Sequence, residues 1–145
     1  MLIEERPLAD AQLQALLEAA FAELVARYGP EGRSGVDPAA RFLVAVDEGR
    51  PIACAALQQV DDRTGEVKRM YVLPSHRGRG AARALLKALE ALGAELGHTR
   101  LRLTTGIRQP EAIALYESAG YTPIPAYGKY VDEPTSRSYG KALGR

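Results

Sequence analysis

A mixed α/β fold with elements in the order β-α-β-β-β-α-β-α-β-β is what this 145-residue sequence predicts. Three observations carry that expectation. Apolar residues recur at helical spacing over 10–28, 80–96 and 110–119. Between those stretches lie short segments rich in Val, Ile, Leu and Tyr. The turns joining the front strands are short enough for hairpins, so an antiparallel meander precedes a β-α-β unit. The length suits one domain over 1–145, with no repeat, low-complexity tract or linker.

Leu2–Arg6 is the first strand. Leu13, Leu16, Leu17, Ala20 and Leu24 then mark one face of a helix that Asp10 caps and Gly29-Pro30 stops. Pro30–Pro38 is aperiodic and reads as a loop. Phe42–Asp47 and Pro51–Val60 flank Glu48-Gly49, a hairpin signal, and the Asp61–Gly65 turn leads into Glu66–Leu73. Gly80–Leu96 is helical, with Leu85, Leu86, Leu89 and Leu92 on one face and Gly97 as its stop. Thr99–Thr104 is a strand, and Pro110–Ala119 a helix with Pro in its first turn and Gly120 after it. Tyr121–Ile124 and Arg137–Leu143 are the last strands.

Composition removes several function classes. One cysteine excludes an internal disulfide framework and a multi-cysteine metal site, and His76 and His98 lie too far apart for a helical zinc pair, so no metal is expected. The N-terminus lacks an apolar run before charges arrive, and Glu18 and Glu23 interrupt the most apolar window, Leu13–Val25. A soluble cytoplasmic protein, free of the membrane, is therefore expected. Nineteen basic residues against eighteen acidic give a net +1, which argues against a nucleic-acid-coating protein. That balance conceals a local excess. Residues 68–87 hold six basic side chains and no acidic one, and concentrate charge about one helix entrance.

The entrance is the most informative stretch, Val72-Leu73-Pro74-Ser75-His76-Arg77-Gly78-Arg79-Gly80-Ala81-Ala82-Arg83. Pro74 ends a strand, and a glycine-bearing turn opens directly into a helix. Unpaired N–H groups at a helix start, together with the helix dipole, form an anion site. Gly78 and Gly80 permit close approach of a ligand, Ala81 and Ala82 keep the first turn uncrowded, and Arg77, Arg79 and Arg83 add charge. The pattern is neither a P-loop nor a dinucleotide fingerprint. A tight turn with solvated arginines is the simpler alternative.

Arg77-x-x-Gly80-x-Ala82 resembles the Arg/Gln-x-x-Gly-x-Gly/Ala signature of the GNAT superfamily of acetyl-CoA-dependent N-acetyltransferases. Glu66–Pro74 looks like that family's fourth strand, and Glu111–Tyr121 looks like its final helix, Ala-x-x-Leu-Tyr-x-x-x-Gly-Phe/Tyr. The resemblance implies the family's largely antiparallel central sheet flanked by helices, with the fourth and fifth strands splayed. It also implies that the pyrophosphate of acetyl-CoA lies on the Arg77–Ala82 amides and that the pantetheine arm runs beside Met70, Tyr71 and Val72 like an added strand. No metal is implied.

By the same resemblance Tyr116 takes the general-acid position. The alternative is a core aromatic beside Ala112 and Ala119. Glu66 takes the position of a carboxylate base, or is a surface residue at the strand end facing Lys68. The backbone N–H of Met70 or Val72 is the candidate for polarising the acetyl carbonyl. Gln109 stands where relatives carry Asn near the cofactor. His76 and His98 read as loop residues, and Cys54 as a small buried apolar residue. The acceptor, a primary amine of a small molecule or of a protein, is expected between Gly29–Arg41 and the Pro123–Arg137 loop with Tyr127, Tyr130, Asp132 and Glu133. Family members commonly pair as homodimers. Two other readings remain: a non-catalytic acyl-CoA sensor, and a nucleic-acid module using Lys68, Arg69, Arg77, Arg79, Arg83 and Lys87, although the sequence lacks aromatic interleaving or a reading helix.

Overall fold

The computed structural model describes residues 1–29 and 36–144. Its strands are β1 (Leu2–Arg6), β2 (Arg41–Asp47), β3 (Arg50–Gln59), β4 (Thr64–Val72), β5 (Arg100–Gly106), β6 (Thr122–Pro123) and β7 (Ser136–Ala142). They form one sheet in the order β1-β2-β3-β4-β5-β7-β6, antiparallel throughout except where β4 meets β5. Helices α1 (Ala11–Tyr28), α2 (Ala81–Glu95) and α3 (Pro110–Ser118) complete the expected element order. Most of the loop expected over 30–38 lies outside the described residues. The strand expected over Tyr121–Ile124 shortens to two residues, because Pro123 and Pro125 have no N–H to offer a ladder.

Local chemistry accounts for the element boundaries. The Asp10 carboxylate accepts the Leu13 N–H at 2.9 Å and caps α1, an interaction worth about 1 kcal/mol. Glu48 and Gly49 both have positive φ, 50° and 78°, the geometry of a tight two-residue hairpin turn. Strand β3 is buried on both faces, which is why its sequence is continuously apolar. Its alternate residues serve two cores. Cys54 and Ala56 join Leu13 and Leu16 of α1 on one face, while Ala53, Ala55 and Leu57 meet Leu85, Leu86 and Leu89 of α2 on the other.

Two irregularities open the sheet at its centre. Strands β4 and β5 pair only over Thr64–Glu66 and Arg100–Arg102; beyond these, β4 keeps only β3 and β5 only β7. Within the unpaired part, the register of β3 against β4 shifts between Cys54 and Ala56, so Ala55 faces both Arg69 and Met70. Arg69 carries φ 59°, a left-handed conformation that costs a non-glycine residue roughly 1–2 kcal/mol. The Cys54 thiol donates to the Arg69 carbonyl at 3.4 Å, holding the bulge from beneath.

Candidate active site

The parted strands frame a cleft of about 1040 Å³. Residues 67–71 of β4 and 103–106 of β5 line it, with Leu17, Phe21 and Leu24 of α1 on one side and Ala112 and Tyr116 of α3 on another. Tyr116 belongs to the core shared with α2, whereas Leu17 packs with the α1 core. The cleft therefore joins the two faces of the sheet through the gap between β4 and β5. Lys129, Tyr130 and Glu133, from the segment before β7, close its outer rim.

At the C-terminal end of β4, a 3₁₀ turn at Pro74–His76 leads to the start of α2. Gly78 and Gly80 hold φ of 77° and 86°, and no atom lies within 4 Å of where a Cβ would stand on either. No side chain caps α2, and its first turn holds no acidic residue. The amides of Ala81, Ala82 and Arg83 precede the first helical hydrogen bond, from Ala84 N–H to the Gly80 carbonyl at 3.0 Å. The turn thus presents backbone donors, a helix dipole and open approach, which suit a pyrophosphate.

The six basic residues read together from the sequence do not all converge on this entrance. Arg77 donates to the Val72 carbonyl at 2.9 Å and to Glu23 of α1 at 2.7 Å, so it braces the turn. Arg83 reaches Ser118 of α3 at 2.7 Å. Lys68 and Arg69 belong to the cleft. Arg79 is exposed and makes no side-chain hydrogen bond among the described residues.

Of the residues expected at the chemistry, Tyr116, Met70, Tyr71 and Gln109 line the cleft, whereas Val72 and Glu66 do not. Tyr116 is buried, its ring edge-on to Tyr121 at 6.0 Å, and burial raises its phenol well above the ordinary tyrosine range. The alternative of a surface residue at the strand end is corrected for Glu66, which is 5% exposed. Its carboxylate lies 3.1 Å from the Arg102 guanidinium and 3.7 Å from the Lys68 ammonium. Pairing across the first, parallel part of β4 and β5 sets the buried Glu66 opposite the half-buried Arg102.

The loop before β7 divides the residues expected at the acceptor. Tyr130 and Glu133 line the cleft, and Asp132 is exposed away from it. Tyr127 lies beneath the Arg102 guanidinium, 3.8 Å from its ring centroid, and edge-on to Tyr130 at 5.8 Å. Of the 29–41 segment, Gly29 and residues 36–41 are described, and Val36 lines the cleft. His76 sits 3.6 Å from Asp47, and His98 is buried against Gly65 and Gly93. Burial pushes the Cys54 thiol up to about 12, which removes it as a nucleophile. Sequence reasoning missed the α1 wall of Leu17, Phe21 and Leu24; the apolar face of that helix was visible, but not which part of it the sheet leaves uncovered.

Among the described residues no cluster of three or more His, Cys, Asp or Glu is placed to hold a metal, and no helix is long and apolar enough to cross a membrane. The model of the Acetyltransferase (GNAT) family matches residues 8–121. An IAA acetyltransferase of Azospirillum brasilense is 36% identical over 146 aligned residues, covering 96% of this chain and 95% of its own. A proposed acyl-CoA N-acyltransferase from Klebsiella pneumoniae superposes with a TM-score of 0.85 at 32% identity, over 99% of this chain and 97% of that one. A GNAT acetyltransferase from Elizabethkingia anophelis, solved with acetyl-CoA bound, shares the fold with a TM-score of 0.76 at 18% identity, over 98% and 97% of the two chains.

Proposed function

We propose, from the premise that this chain belongs to the GNAT acetyltransferase family, that it moves an acetyl group from acetyl-CoA to the primary amine of a small molecule by direct attack within a ternary complex. Acetyl-CoA supplies an acetyl group already activated as a thioester. The observation that carries the reading is the gap between β4 and β5. It brings the β4 bulge and the buried Tyr116 side chain to one cleft open toward α1, and the same β4 strand runs on from its Val72 end to the anion-suited entrance of α2.

In this reading the amides of Gly78 to Ala82 hold the pyrophosphate, with Arg79 and Arg83 nearby and Arg77 bracing the turn against α1. The backbone of Met70, Tyr71 and Val72 receives the pantetheine arm, and Gln109 borders it at the start of α3. Arg69 and Met70 take no regular ladder position, which leaves the Met70 N–H to polarise the acetyl carbonyl as negative charge gathers on its oxygen. The acceptor attacks as the free amine. As the C–N bond forms and the C–S bond breaks, Tyr116 donates its hydrogen bond to the departing sulfur, and the proton lost by the amine ends on the thiol. Glu66, already engaged by Arg102 and Lys68, is assigned to positioning those two cations rather than to taking the amine proton directly.

The test incubates the purified protein with acetyl-CoA and a panel of small amines, reading free coenzyme A with a thiol reagent and acetylated product by mass spectrometry. Equal release of thiol and product supports transfer. Tight binding of acetyl-CoA with no release across the panel would instead favour a sensor.

A further inference from the structure

The face of β5 that looks toward α1 is covered by a side-chain stack rather than by a helix. Leu101 and Leu103 turn into the core beneath α2, so strand alternation sends Arg102 to the opposite face. On that face the α1 core draws on β2, β3 and β4 and, among the described residues, on nothing from β5. Glu66, across the parallel pairing, fixes the Arg102 guanidinium. Arg102 Nε donates to Glu66 Oε1 at 3.2 Å, and Nη2 lies 3.1 Å from the same oxygen. The guanidinium in turn lies 3.8 Å from the centroid of the Tyr127 ring. A planar, weakly hydrated cation suits that stack; an ammonium in its place would keep the charge and lose the plane.

Tyr127 leads into the segment that rims the cleft. Its carbonyl accepts the Tyr130 N–H at 3.0 Å across the 3₁₀ turn Gly128–Tyr130, and its ring stands edge-on to Tyr130 at 5.8 Å. Tyr130 and Glu133 line the cleft. The segment is tied at its two ends, by the Ile124 N–H to the Ser138 carbonyl at 3.0 Å and the Ile107 N–H to the Thr135 carbonyl at 2.8 Å. Between these ties, the backbone hydrogen bonds of residues 125–134 among the described residues stay within 127–136. Side chains therefore set how the rim stands over the cleft. We propose that Arg102 is the positioning residue of that rim: held by Glu66, it carries Tyr127 and with it Tyr130, and so shapes the acceptor side of the cleft. This rests on the acetyl-transfer reading above and concerns the acceptor half of the same site. A rim already in place spares the acceptor the cost of ordering it. The loss on breaking the stack should then fall on the acceptor KM, whereas a base role for Glu66 would put it on kcat.

The experiment measures release of coenzyme A at saturating acetyl-CoA and varied amine, with the best substrate of the amine panel. Arg102→Lys keeps a cation beside Glu66 and removes the stacked plane, and Tyr127→Leu removes the ring. Each should raise the acceptor KM at least about fivefold through loss of the cation–π contact, with kcat and the KM for acetyl-CoA within about twofold of the parent. Tyr127→Phe, which keeps the ring, should recover most of what Tyr127→Leu loses. The double variant should be no worse than the poorer single one, because both changes remove the same contact. Additive losses, an unchanged acceptor KM or a fall in kcat alone would overturn the proposal and leave acetyl transfer standing. Hydrogen exchange of peptides spanning 126–133 reads the tether with no substrate present. It should quicken in Arg102→Lys and Tyr127→Leu while exchange in α2 stays as it was, and the loop variant keeps the test available if Arg102→Lys unsettles the sheet. Unaltered exchange at 126–133 would overturn the tether, and that measurement decides it if no amine is turned over.

Discussion

Tyr116→Phe is the perturbation that tests the reading of the cleft most directly. The substitution removes one oxygen and keeps a ring of the same shape in the core, edge-on to Tyr121 at 6.0 Å. Stability should therefore change little, and kcat should carry the effect. Full general-acid catalysis is worth about 10²–10⁴-fold. Burial holds the Tyr116 phenol well above its ordinary value of 10.0, while a free thiol sits at about 8.5. Complete proton transfer from phenol to thiolate is thus uphill, and what remains is a hydrogen bond donated to developing negative charge, about 1.5–3 kcal/mol. At about 1.36 kcal/mol per decade this predicts a fall in kcat of roughly 10- to 150-fold, near the bottom of the general-acid range. The assay is steady-state release of coenzyme A between pH 6 and 9 with a saturating amine, alongside thermal unfolding. Because the phenol stays protonated throughout, both proteins should show one profile, rising as the amine deprotonates, at different heights. A kcat within twofold of the parent would refute the donor role. A descending limb near pH 9 that vanished in the variant would refute the desolvation argument.

Gly80→Ala tests the entrance of α2. With φ of 86° and no atom within 4 Å of the new Cβ, its cost is conformational, roughly 1–2 kcal/mol. It should lower the unfolding midpoint and raise KM for acetyl-CoA, about fivefold for each 1 kcal/mol by which the turn is displaced; an unchanged KM would separate the turn from the cofactor. Gly65→Ala is its steric counterpart, since the new Cβ would stand 2.7 Å from His98 Nδ1, 2.8 Å from Leu57 Cδ1 and 2.9 Å from Leu101 Cδ2. Overpacking of that kind costs about 1–3 kcal/mol, read as a lower denaturant midpoint. Alkaline titration follows from Tyr116, Tyr121 and Tyr127, whose phenols burial raises above the ordinary value of 10.0. Above pH 10 the unfolded chain loses protons that the fold retains, so this contribution is intact below pH 10 and declines above it. Urea midpoints measured from pH 8 to 11 should be level at first and then fall; a rise above pH 10 would contradict the burial.

The entrance of α2 could be read from sequence because each of its requirements leaves a residue-level trace. A strand that ends at Pro74, glycines at 78 and 80, and an apolar stripe from Leu85 to Leu92 are all local features, and the structure realises them with positive φ at both glycines and Leu85, Leu86 and Leu89 in the core. The Glu48-Gly49 hairpin and the Asp10 cap were readable for the same reason. Strand β6 was overestimated because Tyr121 and Ile124 look like strand residues. Tyr121 instead packs into the α2–α3 core; Thr122 and Pro123 pair with β7, and Ile124 adds a single N–H bond to the Ser138 carbonyl at 3.0 Å.

The arrangement of charge was beyond such reading, because it depends on register. Glu66 and Arg102 are 36 positions apart and become neighbours only through three parallel pairs between β4 and β5. Arg69 looks like an ordinary strand residue, yet the register shift opposite Ala55 places it at φ 59° and turns the end of β4 away from β5. A slip of one residue would exchange the faces of Lys68 and Val67 and turn the ammonium into the core under α2. The bulge therefore does more than open a gap for an arm of cofactor. It also divides a basic run that looked like one phosphate site: Lys68 and Arg69 line the cleft, whereas Arg77 and Arg83 tie the entrance of α2 to α1 and α3.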